Sequence, residues 1–418
     1  MRRTLLVSCD LLRESDPTPG YSVACLLARL RQDPGYGTDF SVRHVSVNLL
    51  RYPPASHPDS LRRAVEGLDL SSFDVLALSC FIWSESLVNP FLEWVRQVGF
   101  RGRIVLGGSQ ITYGIAGSAS LDDGRELSRA YPRADQFVPG HAENALLEIC
   151  RRETPGRVIS RWAPLQALPS PYLDKVIEFP EAAGSVRMET QRGCPFSCDF
   201  CAHRDIVTSM VERTTVERAL QEFFLLQEAG VRKVNVLDPV FNAGPRALAV
   251  LDAAVEAGLS ARLSLQCRFE NLTTAFLDTC EALNVELEFG LQTTDETEAA
   301  EINRPNDMAA VERWIGELNR RGLTYEVSMI YGLPLQTLDS FRRGIHWLRD
   351  RGVETIKAWP LMLLRGTRMH SRKARYGMRE RTEGPYNIPV VVASTSFTEH
   401  EWDGMKTASV DLLKPARL

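Results

Sequence analysis

The residues with the clearest chemical potential are three cysteines near the middle of the 418-residue chain. Their spacing is C-x3-C-x2-C, and they are Cys194, Cys198 and Cys201. They follow a predicted strand, Ser185–Thr190, and Gly193 and Pro195 indicate a loop. Thiolates on such a loop can converge on a soft metal centre, and three of them suit an iron–sulfur cluster with one iron free of protein ligands. A zinc site that adds His203 is the alternative.

The composition places the chain among ordinary globular proteins. Apolar residues make up 44% and charged residues 24%, and 49 basic against 53 acidic residues give a formal net charge of −4. These values exclude a disordered chain and a nucleic-acid binder that relies on a large basic surface. The other six cysteines are scattered among apolar neighbours, and we find no secretion signal or membrane span. We therefore expect reduced thiols, a cytoplasmic location, and no nucleic-acid or membrane partner.

The first third of the chain alternates apolar strands with helical patterns. Predicted strands include Thr4–Cys9, Val75–Phe81 and Arg103–Gly108, and predicted helices include Tyr21–Arg31 and Glu85–Val98. Strands separated by helices of this length favour an α/β fold, in which a doubly wound parallel sheet is covered on both faces. We place this first domain at residues 1–152.

Small, polar and aromatic residues follow three strands of this predicted sheet. They are Ser79, Phe81, Trp83, Gly107, Gly108, Ser109 and Gly140. Ligands of doubly wound sheets bind beyond the carboxyl ends of the strands, and glycine lets a ligand approach the backbone closely. The three strand ends together therefore predict a binding site for a nucleotide-sized or larger ligand.

These strand ends resemble the N-terminal cobalamin-binding domain of a large class of radical enzymes. The matching segments are ALSCFIWSE, IVLGGSQITYG and ADQFVPGHAENALLEI. The resemblance implies a Rossmann-like domain in which the seven residues named above bind cobalamin. Many such domains supply a lower axial histidine from an Asp-x-His-x-x-Gly motif, and this sequence has none. The resemblance thus implies cobalamin binding without that histidine, and the alternative is a domain that contributes only packing.

The remainder of the chain predicts a partial barrel. Residues 153–184 contain several prolines and are interpreted as a linker. Strands and helices alternate over residues 185–365 as in a partial (β/α)6 barrel, and residues 366–418 form a short C-terminal extension. In such barrels the active site lies at the carboxyl ends of the strands, so we take the candidate site residues from the segments that follow the predicted strands. They are Asp238, Arg268, Gln292, Arg304, Ile330 and Tyr331.

Residues 185–365 resemble the radical S-adenosylmethionine (SAM) superfamily. The resemblance is carried by the cysteine spacing, by Phe200 before the third cysteine and by the segment YGLPLQT. It implies a [4Fe–4S] cluster whose open iron is chelated by SAM, and a 5′-deoxyadenosyl radical formed on SAM cleavage. The SAM contacts that it implies are Phe200, Asp238, Arg268, Gln292, Arg304, Ile330 and Tyr331. Asp238 would accept hydrogen bonds from the SAM ammonium, although an aspartate at this position also suits a turn or a helix cap. The guanidinium of Arg268 or Arg304 would suit the carboxylate of SAM, because it offers paired hydrogen bonds.

The two resemblances together imply a cobalamin-dependent radical SAM C-methyltransferase that acts on an unactivated carbon of a small metabolite or natural-product intermediate. Two other hypotheses stay open. One is a radical rearrangement, cyclisation, epimerisation or oxidation without methylation, and the other is a zinc-stabilised binding protein. Radical chemistry implies an electron donor such as flavodoxin or ferredoxin. The basic run Arg365–Arg381 is typical of a solvated face and also suits an anionic substrate or such a donor.

Overall fold

The computed structural model describes residues 1–116, 124–180, 184–203 and 210–412. These residues form two compact units. Within the described ranges, unit 1 contains residues 1–180 and 383–388, and unit 2 contains residues 184–203, 210–382 and 389–412. The last positions of the predicted C-terminal extension, 413–418, lie outside the described residues.

Unit 1 is a five-stranded sheet with helices between its strands. Its elements are β1 (Arg2–Asp10), α1 (Tyr21–Arg31), β2 (Phe40–Asn48), α2 (His57–Val65), β3 (Val75–Ser79), α3 (Glu85–Gln97), β4 (Arg103–Gly107), α4 (Ser109–Ala116), α5 (Arg125–Ala130), β5 (Gln136–Val138) and α6 (Glu143–Arg151). All neighbouring strands are parallel, in the order β2-β1-β3-β4-β5. Strand order therefore reverses between β1 and β3, as in doubly wound folds. The predicted doubly wound parallel sheet is confirmed.

Continuous apolar runs explain the central strands of unit 1. The sequence VLALS of β3 is buried at Val75 to Leu78 and half-buried only at Ser79. A strand that is apolar on both faces is stable only where helices cover both faces. The amphipathic helix α3 supplies one such cover through Leu87, Phe91 and Val95, which join the same core as Leu78. This packing fixes the strand ends that carry the candidate residues.

Residues 153–180, which were predicted to be part of a linker, pack into unit 1 instead. Val158 forms a parallel bridge with Phe137 of β5, and Glu178 forms an antiparallel bridge with Thr18. Tyr172 is 2% exposed. The prolines prevent regular helices here, but the apolar residues between them still bury surface against the sheet domain. In the structure the boundary between the units therefore follows residue 180 and not residue 152.

Unit 2 is built on a six-stranded parallel sheet. Its elements up to the last sheet strand are β6 (Ser185–Met188), β7 (Gln191–Arg192), β8 (Glu212–Arg213), α7 (Val216–Glu228), β9 (Lys233–Val236), α8 (Arg246–Glu256), β10 (Arg262–Cys267), α9 (Thr274–Glu281), β11 (Val285–Gln292), α10 (Glu296–Glu301), α11 (Met308–Arg321), β12 (Tyr325–Tyr331), α12 (Leu338–Asp350) and β13 (Thr355–Pro360). The sheet order is β13-β12-β11-β10-β9-β6, and all pairs are parallel. Consecutive strands joined by helices form the expected partial barrel, with β6 and β13 at its edges.

The strand pattern places polar side chains on one face of this sheet. Along β11, burial alternates strictly, so that Val285, Leu287, Phe289 and Leu291 are buried. The intervening residues, from Glu286 to Gln292, are less buried and share the opposite face of the strand. The apolar face packs against the helices, and the polar face is left to line the barrel interior.

The C-terminal part of the described chain adds α13 (Arg368–Ser371), β14 (Arg379–Glu383), β15 (Ile388–Ala393) and α14 (Glu399–Asp411). Helix α14 begins at a capping box between Thr398 and Glu401 and buries Trp402 and Met405 in unit 2. Tyr386, from the β14–β15 turn, belongs to unit 1, where its ring stacks on His57 with centroids 5.5 Å apart. Among the described residues, no helix combines the length and apolar character that crossing a bilayer requires.

Candidate functional site

Unit 2 contains a cavity of about 400 Å³ that brings most of the predicted site residues together. Its lining includes all three clustered cysteines, together with Phe200, Arg268, Gln292 and Arg304. His203, the predicted fourth ligand of a zinc site, also borders it. Residues separated by up to 110 positions in the sequence therefore converge, because the strand ends of a parallel sheet lie at one edge.

The cysteine loop is held in place by the segment that follows α10. The backbone N–H of Asp199 donates to the carbonyl of Ile302 at 2.9 Å, and the side chain of Asn303 donates to the carbonyl of Ser197 at 2.8 Å. Asn303 has a positive φ of 51°, a conformation that asparagine tolerates better than most residues. These bonds fix the loop that connects Cys194 to Cys201.

A second set of bonds joins the cysteine loop to the C-terminal part of unit 2. The N–H of Met369 in α13 donates to the carbonyl of Asp199 at 2.9 Å. The carboxylate of Asp199 accepts a bond from Arg372 at 2.7 Å and lies 3.5 Å from Arg368. Asp199 is only 3% exposed, so the two arginines balance a charge that is buried beside the cysteines.

The cysteine thiols suit a metal centre that displaces their protons. Burial raises the pKa of the Cys194 thiol, and it raises the pKa of Cys201 to about 11. The free thiols of Cys194 and Cys201 are therefore protonated, and their thiolate form is reached when iron or another soft metal binds. Three thiols on one short loop fit a cluster that keeps one iron open, as the sequence predicted.

Arg304 is the cavity residue most closely connected to the cysteines. Its Nη1 lies 3.6 Å from the Sγ of Cys198, and its Nη2 donates to the carbonyl of Gly290. Its Nε is buried and has no hydrogen-bond partner among the described residues. A buried guanidinium with an unsatisfied donor beside the cysteine loop fits an anionic group such as a carboxylate.

Arg268 contacts the cysteine loop through an aromatic ring. Its guanidinium lies 3.9 Å from the centroid of Phe196, and its Nε donates to Glu270 at 3.2 Å. Gln292, which also lines the cavity, has a positive φ of 72° where the pairing of β11 with β12 shifts register. Gln292 therefore sits at a local irregularity of β11 and still shares the strand face of Glu288 and Gly290, which also line the cavity.

Asp238 lies outside the cavity lining, although it follows β9 as predicted. Its carboxylate is 2% exposed and accepts bonds from the N–H groups of Thr190 and Gln191 at 2.7 and 2.8 Å, and from the Thr190 hydroxyl. Burial raises the pKa of Asp238 to about 7. The expected contact with the SAM ammonium does not fit this arrangement, because the carboxylate already binds the chain just before the cysteine loop.

Ile330 and Tyr331 are also outside the cavity lining. The carbonyl of Ile330 accepts a bond from the side chain of Gln336 at 3.1 Å. The ring of Tyr331 is buried against Phe341 and Trp402, with centroids 5.8 and 5.7 Å away. Tyr331 therefore packs in the core beneath the end of β12, and its side chain is not placed to contact a ligand in the cavity.

The cavity also contains charged residues that sequence reasoning missed. Glu288, Glu326 and Lys357 line it from neighbouring strands β11, β12 and β13. Glu326 is 4% exposed and pairs with Lys357, and burial raises its pKa. Glu288 accepts a bond from the hydroxyl of Ser264. The alternation of polar with apolar residues along β11 and β12 could have indicated that Glu288 and Glu326 face the barrel interior.

In unit 1, the seven residues predicted from strand ends lie along one edge of the sheet. Ser79 of β3 pairs with Gly107 of β4, and Gly107 pairs with Val138, two residues before Gly140. Gly108 has a φ of 103°, and a Cβ there would lie 2.6 Å from the carbonyl oxygen of Cys80. The rings of Phe81 and Trp83 stack with centroids 4.6 Å apart. All seven residues are half-buried, which leaves part of each accessible to a ligand.

Two curated proteins resemble this chain in sequence. The 2-(S-pantetheinyl)-carbapenam-3-carboxylate methyltransferase of Streptantibioticus cattleyicolor is 26% identical over 79% of this chain and 55% of its own length. The cobalamin-dependent radical SAM methyltransferase TokK of Streptomyces tokunonensis is 26% identical over 73% of this chain and 50% of its own length. The chain thus spans about half the length of the curated relatives it matches.

A solved structure matches the whole chain in fold. The radical SAM methyltransferase TsrM from Kitasatospora setae, solved with tryptophan substrate and a SAM analogue bound, superimposes with a TM-score of 0.73 over 100% of this chain and 90% of that chain. The identity is 15%, so this likeness concerns the fold alone. It confirms an architecture in which a doubly wound domain precedes a partial barrel.

The family match covers the part of unit 2 that contains the site. The Radical SAM superfamily model matches residues 188–348, which include the cysteine loop, Arg268, Gln292 and Arg304. This match favours an iron–sulfur cluster over the zinc site with His203. Most residues that line the cavity of unit 2 therefore lie in the part of the chain, residues 188–348, that is similar to the Radical SAM superfamily.

Proposed function

We propose that this chain is a cobalamin-dependent radical SAM enzyme that methylates an unactivated carbon of a small molecule. The observation that carries the proposal is the resemblance to two curated relatives that are both named methyltransferases. The aligned share of this chain, 79% and 73%, is larger than either unit, so the resemblance includes residues of both units. The cysteine loop and its cavity support the radical part of the proposal.

When bound, the cluster supplies the electron that cleaves SAM, and cobalamin supplies the methyl group that is transferred. The role of unit 2 is to hold and orient these groups. Cys194, Cys198 and Cys201 would hold the cluster through their thiolates, beside the cavity that would take SAM. Arg304 and Arg268 present guanidinium groups to the cavity, and such groups hold a carboxylate in a fixed orientation by paired hydrogen bonds. Gln292 adds a neutral hydrogen-bonding group beside them.

In unit 1, the edge formed by the ends of β3, β4 and β5 is the proposed cobalamin site. Gly108 supports this because a side chain there would collide with the Cys80 backbone, so the chain keeps a close turn at the edge. Phe81 and Trp83 offer stacked rings to a large planar ligand. His44 and His57 are engaged elsewhere, with Ser8 and with the carbonyls of Leu49 and Tyr52, so the proposal includes no axial histidine from them.

The proposed substrate is a small metabolite or natural-product intermediate, and the proposed setting is the cytoplasm. The proposal also includes a protein electron donor, because the cluster needs one electron for each SAM that it cleaves. Nucleic acid is not proposed as a partner, since the chain has a formal net charge of −4.

The proposal is tested with anaerobically reconstituted protein. Hydroxocobalamin should co-elute with the protein in gel filtration, and dithionite should drive formation of 5′-deoxyadenosine from SAM. Trideuteromethyl-labelled SAM is then incubated with L-tryptophan and with a pantetheinylated carbapenam as first probes. Further probes are the small molecules that enzymes encoded by neighbouring genes produce. A product that carries the trideuteromethyl group supports methylation. Protein that retains no corrinoid contradicts the proposal, and so does a product formed by radical chemistry without the label.

A further inference from the structure

Basic side chains cover the segment of unit 2 that binds the cysteine loop. We call this group the basic patch, and its members are Arg365, Arg368, Arg372, Lys373 and Arg375. The last four are exposed, and the side chains of Arg368 and Arg375 keep 60% and 63% of their surface in solvent. The patch therefore presents several positive charges in a short stretch of a chain that is slightly acidic as a whole.

The acidic partners of the patch are more deeply placed than its bases. Arg368 and Arg372 pair with Asp199, whose side chain is 2% exposed. Lys373 and Arg375 pair with Glu380 and Glu301, whose side chains are 27% and 23% exposed. The acidic side chains are therefore less exposed than the basic side chains that they pair with, and the patch presents more positive than negative charge to solvent. The pKa of His370 is lowered by burial first and then by Lys373, while Glu380 raises it and Arg365 lowers it again.

The patch is bonded directly to the cysteine loop. Arg372 donates to Asp199, and the N–H of Met369 donates to the Asp199 carbonyl. Asp199 directly follows Cys198 and is two residues from Cys201. A protein bound to the patch would therefore lie against the segment that is bonded to the cysteine loop.

We propose that the basic patch is the docking surface for an acidic one-electron carrier protein. The inference rests on the proposed function, because a radical SAM cluster needs an external electron. In the transfer the carrier loses one electron, the oxidised cluster gains it, and no bond or proton is exchanged. Complementary charge steers such encounters and loses strength as salt screens it. Electron-transfer interfaces are also small, so a patch of a few side chains is sufficient.

The first test measures binding, which does not depend on enzyme activity. The patch variant Arg365→Gln/Lys373→Gln/Arg375→Gln removes three positive charges and keeps Arg368 and Arg372 on Asp199. The matched control, Arg342→Gln/Arg343→Gln/Arg349→Gln, removes three charges from exposed positions of α12. A purified bacterial flavodoxin serves as the probe in calorimetric titrations of cluster-loaded protein at low ionic strength. The dissociation constant should rise about tenfold for the patch variant and less than about twofold for the control.

The second test separates docking from the cluster chemistry. The patch variant should form 5′-deoxyadenosine from SAM at the wild-type rate with dithionite and more slowly with flavodoxin hydroquinone. Carbodiimide cross-linking of flavodoxin to the wild-type protein should place a cross-link on Lys373. Equal binding by the patch and control variants would overturn the proposal, and so would cross-links confined to other lysines. If the proposed methylation fails, no corrinoid is retained or no trideuteromethyl label reaches a product, whereas the binding result is unaffected.

Discussion

The guanidinium of Arg304 connects Cys198 with the end of strand β11. Nη1 lies 3.6 Å from the Cys198 sulfur, and Nη2 donates to the carbonyl of Gly290. The two residues are 106 positions apart, so this contact exists only in the folded barrel. One side chain thus joins the loop after the first sheet strand to the fourth strand, beside the cavity that we assign to the cluster and SAM.

Replacing Arg304 should impair both the fold near the cluster and SAM cleavage. Arg304→Ala leaves the Gly290 carbonyl without its partner and should lower the free energy of unfolding by about 1–3 kcal/mol. Arg304→Lys keeps a positive charge without the planar fork, and its rate of dithionite-driven 5′-deoxyadenosine formation should fall at least about tenfold. Arg313→Ala, at an exposed position of α11, is the control. A wild-type rate in Arg304→Lys would contradict the assigned role.

The three clustered cysteines should be distinguished from the buried ones by iron content. Cys194→Ala, Cys198→Ala and Cys201→Ala should each lose bound iron and sulfide and the brown colour of the reconstituted protein, because each removes one ligand. Cys280→Ala, a change at a fully buried core position, should retain the cluster while losing some stability. Iron and sulfide assays decide the result. Full iron content in any of the three loop variants would exclude that cysteine as a ligand.

Gly193 should tolerate no side chain. It has a φ of 79°, and a Cβ there would overlap the carbonyl oxygen of Met210. Gly230 provides a matched control, because its φ is 63° but nothing lies within 4 Å of its would-be Cβ. Gly230→Ala should lower the free energy of unfolding by about 1–2 kcal/mol, because alanine is strained in the left-handed conformation. Gly193→Ala should lower the free energy of unfolding clearly more, as measured by chemical denaturation, and should also lower cluster occupancy. Equal costs would show that the overlap is relieved by movement of residue 210.

Asp238 should give the stability of the protein a pH dependence. Its pKa in the folded protein is about 7, whereas an aspartate in an unfolded chain titrates near pH 4. Between these pH values the folded protein keeps a proton on Asp238 that the unfolded chain has released. The contribution of Asp238 to the free energy of unfolding is therefore complete below about pH 4 and is lost as the pH rises through about 7. Asp238→Asn removes this titration.

The measurement for Asp238 compares urea denaturation of the wild type and the variant from pH 4 to pH 8. The stability advantage of the wild type over Asp238→Asn should shrink as the pH rises. Asp252→Asn, at an exposed position of α8, is the control and should show no such trend. A constant difference between the wild type and Asp238→Asn would contradict the assigned pKa.

Regular elements of this fold could be predicted where pattern and capping agree. The bounds of α1 match those of the predicted helix Tyr21–Arg31, and α3 ends one residue before the predicted end at Val98. For α7, the side chain of Thr215 caps the helix at the position where the apolar periodicity begins. Parallel strands were recognised for a similar reason, because burial on both faces requires continuous apolar runs. The two-residue strands β7 and β8 are too short to produce any pattern.

The site could be predicted only as far as strand ends define it. Arg268 was found because it directly follows β10, and Arg304 because it lies in the chain segment after β11 and α10; the barrel brings both to the cavity. Glu326 and Lys357 were missed because they lie within strands and not at strand ends. The alternation along β12 indicates the face of Glu326, and only the folded sheet places Lys357 of β13 beside it. Asp238 follows a strand but turns toward Thr190, and no local pattern distinguishes that orientation from one toward the cavity.

The bond between Asp199 and Arg372 also bears on when the cluster can be inserted. The two residues are 173 positions apart, so the cysteine loop leaves the ribosome long before its arginine partners have been made. The charge of Asp199 can be balanced by Arg368 and Arg372 only after residues 368–372 have been made and have folded against the loop. The final packing of the cysteine loop thus depends on the C-terminal part of unit 2.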